Sequence, residues 1–288
     1  MEQMINTGKE IIMETKLIED LKSRYKLFME DLDIRENGLL GKISNPRYKD
    51  QKLRFSGFPY VGSKYSVAKK KILFVGQDIG KDECREDDSF HDLDSRRISI
   101  AGSVNGCISL DYNDHISGTY VMALFLLREY YSWEEAWNKL SSMNDITSKT
   151  AINRFKSILP IDVLDYVALT NIYKFVSLCR GCDPNNNKPK CWNQKCIEQN
   201  KIKNRSGSNN RKWYNKQEEI DMFLDEIHIF KPDLVYFQGS SAKLNSSILN
   251  KINSFCDICI SYHPSAWNVG ANKPNFANKI KIKPKTSN

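Results

Sequence analysis

Nothing in the 288-residue chain is apolar for long enough to cross a bilayer. The longest unbroken apolar run is Val121–Leu127, against the ~20 residues a spanning helix needs. The opening residues, MEQMINTGKE, lack a basic stretch followed by an apolar core, so no secretory leader is expected. With 14 glycines, about 5% of the chain, a collagen-like repeat is excluded. Nor are apolar residues in short supply. Hydrophobic side chains make up 40% and charged ones 27%, which excludes wholesale disorder and fits a packed core. The expectation is a cytoplasmic protein, free of membranes and monomeric, of two domains near ~150 residues or one larger α/β domain.

What the chain does have begins with charge. Its 43 basic and 35 acidic residues leave a net +8, a balance that favours polyanionic partners such as DNA. It also has eight cysteines. Without a secretory route these are expected to be thiols or metal ligands and not disulfides.

The apolar pattern alternates between two periods. Residues 10–35 repeat Ile11, Ile18, Leu21, Tyr25, Phe28 and Leu32 at threes and fours, which predicts an amphipathic helix. Residues 36–66 are broken by Gly38, Gly41, Pro46, Gly57, Pro59 and Gly62 and read as loop. Short apolar runs at 71–75, 166–172, 234–238 and 257–262 then alternate with helical patterns at 117–140, 217–230 and 241–254. This alternation predicts βαβ units around a buried parallel sheet. Each run ends on a polar or glycine-containing turn. In a parallel sheet such turns line one edge, where α/β proteins bind ligands.

These turns carry a resemblance. Gly76-Gln77-Asp78-Ile79-Gly80 resembles the first motif of the uracil-DNA glycosylase superfamily, written GQDPY in one branch and GEAPG in its iron–sulfur branch. Thr170-Asn171-Ile172-Tyr173-Lys174 resembles the TNVVK segment of the latter. Glu226-Ile227, Lys231–Val235 and Gly239 resemble its helix–strand–glycine segment, and His263-Pro264-Ser265 is similar to its HPS motif. The resemblance spans roughly residues 58–280. It implies a three-layer α/β/α domain with a short central parallel sheet, preceded by a helix and connecting segment over 1–57.

The residue types suit the chemistry that the resemblance implies. Breaking an N-glycosidic bond builds positive charge on the sugar and negative charge on the departing base. A carboxylate near the sugar can stabilise the cation or orient a water, and Asp78 would do so. A donor near the base oxygen can stabilise the anion, as in an oxyanion hole, and His263 would do so. A carboxamide pairs with the edge of a flipped base because it both donates and accepts, which suits Asn171. Gly76, Gln77, Gly80 and Phe90 complete the substrate pocket that the resemblance implies. Ser265 belongs to the HPS motif, and Trp267 could enter the duplex as an apolar wedge.

Residues 179–215 form an insertion. Cys179, Cys182, Cys191 and Cys196 place four thiols within eighteen residues, as a tetrahedral metal site requires. Zn²⁺ is the expected metal, with a 4Fe-4S cluster as the alternative. The iron–sulfur branch draws two ligands from a Cys-x-x-Cys before the first core strand. Here that stretch reads Phe55-Ser56-Gly57-Phe58-Pro59, without cysteine. Within the insertion, Arg211, Lys212 and Trp213 suit phosphate contact and base stacking. Cys256 and Cys259 read as core cysteines, and residues 281–288 as a flexible basic tail.

The sequence therefore predicts a monofunctional DNA glycosylase that removes uracil or a modified pyrimidine, in repair or in defence against modified foreign DNA. Two alternatives stand beside it: a non-catalytic nucleic-acid-binding module on the same fold, and an unrelated α/β enzyme acting on nucleotides.

Overall fold

The computed structural model describes residues 2–34, 38, 41, 52–55, 57–76, 93, 96, 98, 100–102, 104, 114–143, 148–178, 216–239, 244, 246–261 and 280–286. In chain order the elements are α1 (Glu2–Asp31), β1 (Lys52–Phe55), β2 (Tyr60–Val61), β3 (Ile72–Gly76), α2 (Asp114–Tyr131), α3 (Glu134–Ser141) and α4 (Ser148–Ile158). There follow β4 (Val167–Asn171), β5 (Phe175–Leu178), α5 (Lys216–Phe230), β6 (Leu234–Gln238), α6 (Ser246–Asn253), β7 (Asp257–Ser261) and β8 (Ile282–Lys283).

The main sheet has the order β2-β4-β3-β6-β7-β8. Its four inner strands, β4, β3, β6 and β7, run parallel, and the short edge strands β2 and β8 are antiparallel to their neighbours. Side-chain alternation divides the core in two. Leu73, Val75, Ala168, Val235, Phe237 and Ile258 face one apolar cluster, which α1, α5 and α6 complete. Ile72, Phe74, Val167, Leu169, Tyr236 and Cys259 face the other, completed by α2, α3 and α4. Helices thus cover both faces, giving three layers. That is why the inner strands read as unbroken apolar runs and not as alternating ones.

Several elements depart from expectation. The helix predicted over 117–140 is two helices, because Ser132 adopts a left-handed φ of 59° between α2 and α3. There Trp133 stacks on Tyr131 at 4.7 Å and turns inward, so ring packing overrides continuous helical periodicity. The segment read as loop, 36–66, holds β1 and β2. β1 pairs with β5 as a separate two-stranded ribbon, Lys52 opposite Leu178 and Phe55 opposite Phe175. Phe55 packs edge-on to Phe58 (4.9 Å) and Tyr25 (5.9 Å), tying the ribbon to α1.

The basic tail is not free along its length. Ile282 pairs opposite Cys259, and the Lys285 and Thr286 backbone N–H groups donate to the Asp257 carboxylate and the Asn253 carbonyl. Its exposed lysines also guard the sheet edge against further strand pairing. Cys256 and Cys259 are buried on opposite sides of the sheet, as the sequence led one to expect. Among the described residues no helix is long and apolar enough to cross a membrane.

Burial in these clusters fixes the response to alkali. It raises the hydroxyls of Tyr25, Tyr65, Tyr120 and Tyr236 above the usual tyrosine range, with Glu226 adding to the shift at Tyr25. It also pushes the Cys256 and Cys259 thiols up to about 12 and about 11. In the unfolded chain the thiols lose their protons near pH ~8.5 and the phenols near ~10. Above those values the folded state holds more protons, so its stability falls as pH rises. Lys174, pushed below the usual lysine range by burial, works in the opposite sense between its folded value and ~10.4. Six groups outweigh one, so cooperative unfolding above pH ~10 is expected, with tyrosinate absorbance appearing together with loss of circular dichroism. Ionisation of these four buried tyrosines near pH ~10 in a still-folded protein would contradict this account.

Candidate active site

Because β3, β4, β6 and β7 are parallel, their C-terminal ends share one edge. The register aligns those ends: Gly76 lies opposite Asn171, Val75 opposite Phe237, and Gln238 opposite Ser261. The chain leaves β3 for β4 on one side, then crosses back to β6 on the other. The edge between β3 and β6 is therefore a topological switch point, where open α/β sheets bind ligands. Gly239 ends β6 at a φ of 104°, a backbone region that glycine enters without steric cost. Its N–H donates to the Ser261 carbonyl at 2.8 Å, closing the edge between β6 and β7. The Gln238 amide donates to Thr119 Oγ1 at 2.7 Å, joining the end of β6 to α2.

Asn171 is the centre of this edge. Its side chain lies against Gly76, in the space where a β-carbon on Gly76 would stand. The residue is 8% exposed, yet among the described residues nothing hydrogen-bonds its carboxamide. A buried amide normally has partners. This one's acceptor and two donors, at the end of β4, have none among the described residues.

The turn that carries Asn171 is held from below. Glu226 of α5 accepts from Lys174 Nζ at 2.7 Å, from Thr170 Oγ1 at 2.8 Å, and from the Tyr25 hydroxyl of α1. Lys174 Nζ also donates to Thr170 Oγ1 at 2.9 Å. Lys174 and Glu226 are both wholly buried. Two turns earlier along α5, Glu219 accepts the backbone N–H groups of Lys174 and Phe175 at 2.5 and 3.0 Å. The Ile172 N–H donates to the Gly76 carbonyl at 3.0 Å. These bonds to Glu226 and Glu219 come from the segment 170–175 and from α1, so two helices and a strand hold one turn.

Asn171 and Gly76 were expected at the site, and the structure brings them into contact. Gly76 is itself buried within β3, and its want of a side chain makes room for the Asn171 amide. The remaining predicted residues lie outside the described ones: Gln77, Asp78, Gly80, Phe90, Arg211, Lys212, Trp213, His263, Ser265 and Trp267, together with Cys179, Cys182, Cys191 and Cys196. In the chain, Asp78 follows Gly76 by two residues and His263 follows Ser261 by two, so both segments begin at the Asn171 edge. Cys179 directly follows Leu178, the end of the β1–β5 ribbon.

The network around Glu226 was not foreseen, although the sequence carries its signal. Glu219, Phe223, Glu226 and Phe230 share one face of α5 at helical spacing, which sets two carboxylates on a core-facing stripe. Clefts of about 280 and about 340 Å³ run along α1, the first lined by Glu14, Ile18 and Val61 and the second by Arg24, Phe28 and Glu218. Neither Gly76 nor Asn171 lines either cleft.

No family model matches this chain, and neither a curated protein nor a solved structure is significantly similar to it.

The fit of Asn171 over Gly76 is testable. In Gly76→Ala the new methyl overlaps Asn171 Oδ1, the far end of a side chain, while the next nearest backbone atom lies at 3.8 Å. The amide can swing away, so stability is expected to fall by only about 1 kcal/mol. Asn171 itself is expected to leave its place, visible as a shift of its side-chain amide signals by NMR. An unmoved amide would show that the space beside Gly76 is not filled as described.

Proposed function

We propose that this chain is a monofunctional DNA glycosylase that hydrolyses the N-glycosidic bond of uracil or a modified pyrimidine and leaves an abasic site. The observation that carries the reading is the unspent Asn171 amide set against Gly76 at the common edge of four parallel strands. A flipped pyrimidine presents adjacent donors and acceptors along its Watson–Crick edge, and a carboxamide answers both. The motif resemblance supplies the remaining roles. Asp78 accepts a proton from a water as its oxygen attacks C1′ of the sugar. The C1′–N bond breaks, its electron pair leaves with the base, and His263 donates a hydrogen bond to the base oxygen as it becomes anionic. Gln77, Gly80 and Phe90 complete the pocket. Trp267 and Ser265 meet the duplex, and the +8 net charge, with Arg211, Lys212 and Trp213, favours the phosphate backbone. The work is placed in the cytoplasm, on DNA, by a monomer.

The insertion is proposed to bind zinc through Cys179, Cys182, Cys191 and Cys196. Four thiolates within a short span suit a closed structural site, and the ion would order a segment for which no apolar core is evident in its sequence. Elemental analysis of protein purified without added metal is expected to give one zinc per chain and a colourless sample. A brown protein containing iron would reassign the metal to an iron–sulfur cluster.

The function is tested by incubating the protein with oligonucleotides carrying uracil, thymine or bulkier 5-substituted pyrimidines, then cleaving abasic sites with alkali. Strand scission confined to one modified base is expected. DNA binding without scission would favour the non-catalytic module. Affinity for free nucleotides and none for DNA would favour the nucleotide enzyme.

A further inference from the structure

The structure holds a buried polar cluster that takes no direct part in the proposed chemistry. Thr170, Lys174 and Glu226 form a closed triangle of hydrogen bonds of 2.7 to 2.9 Å. It lies on the α1–α5 side of the sheet, where Ala168, two residues before Thr170, also points. Side chains alternate along a strand, so Asn171 projects to the opposite side. There it meets Gly76, which alternates in the same way with Val75. The two faces of one strand end thus carry the anchored Thr170 and the Asn171 amide.

We propose that the Thr170–Lys174–Glu226 cluster is a positioning device that locks the end of β4 from beneath, so that the unspent Asn171 amide is held ready above to select the base. Asn171 has no hydrogen bond of its own to fix it among the described residues. The cluster holds the backbone that places it. Thr170 is tied through its hydroxyl and Lys174 through its ammonium. Lys174 and Phe175 are tied through their N–H groups to Glu219, and Ile172 through its N–H to Gly76. A recognition group needs to be held within about half an ångström to discriminate, and such precision comes from supporting groups that are themselves locked. The ligand named here rests on the glycosylase reading, whereas the geometry does not.

Lys174 and Glu226 variants risk the fold, so the test uses Thr170. Thr170→Val keeps the shape and removes the hydroxyl, and Thr170→Ser keeps the hydroxyl. Single-turnover base release is measured well below the unfolding temperature, in the wild-type and the Asn171→Ala backgrounds. Thr170→Val is expected to reduce discrimination between the preferred base and a second pyrimidine by about tenfold, within the coupling seen inside one hydrogen-bonded network. Thr170→Ser is expected to restore it. In the Asn171→Ala background Thr170→Val should add nothing, because the cluster acts through the missing amide. Equal losses in both backgrounds, or lower thermal stability with unchanged discrimination, would overturn the proposal.

A second readout needs no activity. The NMR signals of the Asn171 side-chain amide, followed without DNA, are expected to broaden and exchange faster with solvent in Thr170→Val and to recover in Thr170→Ser. If that holds while the wild type releases no base from any oligonucleotide, the glycosylase reading fails and the positioning stands. If the amide is indifferent to Thr170→Val, the positioning fails whatever the activity.

Discussion

Replacing Lys174 by methionine is expected to destabilise the protein by about 3–5 kcal/mol, the range for removing one partner of a buried ion pair. Both groups are wholly buried and 2.7 Å apart. Methionine fills much of the lysine volume but brings no charge, so Glu226 would be left as a buried carboxylate with only the Thr170 and Tyr25 hydroxyls to stabilise it. Domains of this kind are stable by ~5–15 kcal/mol in total, so the loss is at least about a fifth of the total. The double variant Lys174→Met, Glu226→Leu is expected to recover part of it, because no charge is then stranded. Recovery should stop short of wild type, since the Thr170 hydroxyl loses the Glu226 acceptor and the Tyr25 hydroxyl is left with the Gly57 carbonyl. Urea denaturation at neutral pH decides the matter. A loss below about 1 kcal/mol for Lys174→Met, the size of a surface ion pair, would mean that water reaches the pair.

That network marks where the sequence stops being legible. The four inner strands could be read from it almost to the residue, because ILFVG, VALTN and LVYFQ are buried on both faces and mostly apolar, and DICIS, though partly exposed, keeps an apolar centre. Asn171 could be found because it ends one of those strands inside a motif. β1 and β5 could not. KLRF and FVSL are four residues each and pair only with one another, so neither shows a period long enough to detect. The α2–α3 break at Ser132 was hidden for the opposite reason, since apolar residues continue across it and only the ring stack of Tyr131 on Trp133 turns the chain. α4, with the sequence SKTAINRFKSI, is mostly polar, and its buried residues Ile152 and Phe155 are too few to stand out. The Glu226 cluster draws on Tyr25, Thr170, Lys174 and Glu226 from three distant segments. Spacing along the chain can show that α5 carries two carboxylates on its buried face. It cannot show which donors will meet them.

Asp78→Asn is expected to slow base release by about 10²–10⁴-fold, the contribution typical of a positioned group that takes a proton in the transition state. Asparagine has the shape of aspartate, but it carries no charge and could not take the proton of the attacking water in the proposed reaction. Binding of substrate DNA should be largely unchanged, because removing a negative charge does not weaken attraction to phosphates. The loss should therefore appear in the single-turnover rate and not in the affinity. This separates Asp78 from Asn171. On the proposed reading an Asn171→Ala variant loses recognition of the base, so its discrimination among pyrimidines should fall along with its rate. Asp78→Asn should keep discrimination while losing rate, because the amide over Gly76 is untouched. The measurement is single-turnover cleavage of two modified oligonucleotides by each variant, with affinities from fluorescence anisotropy. Near-normal turnover by Asp78→Asn would remove the carboxylate from the mechanism. It would leave Asn171 as a base-reading residue at a site whose water is activated by some other group.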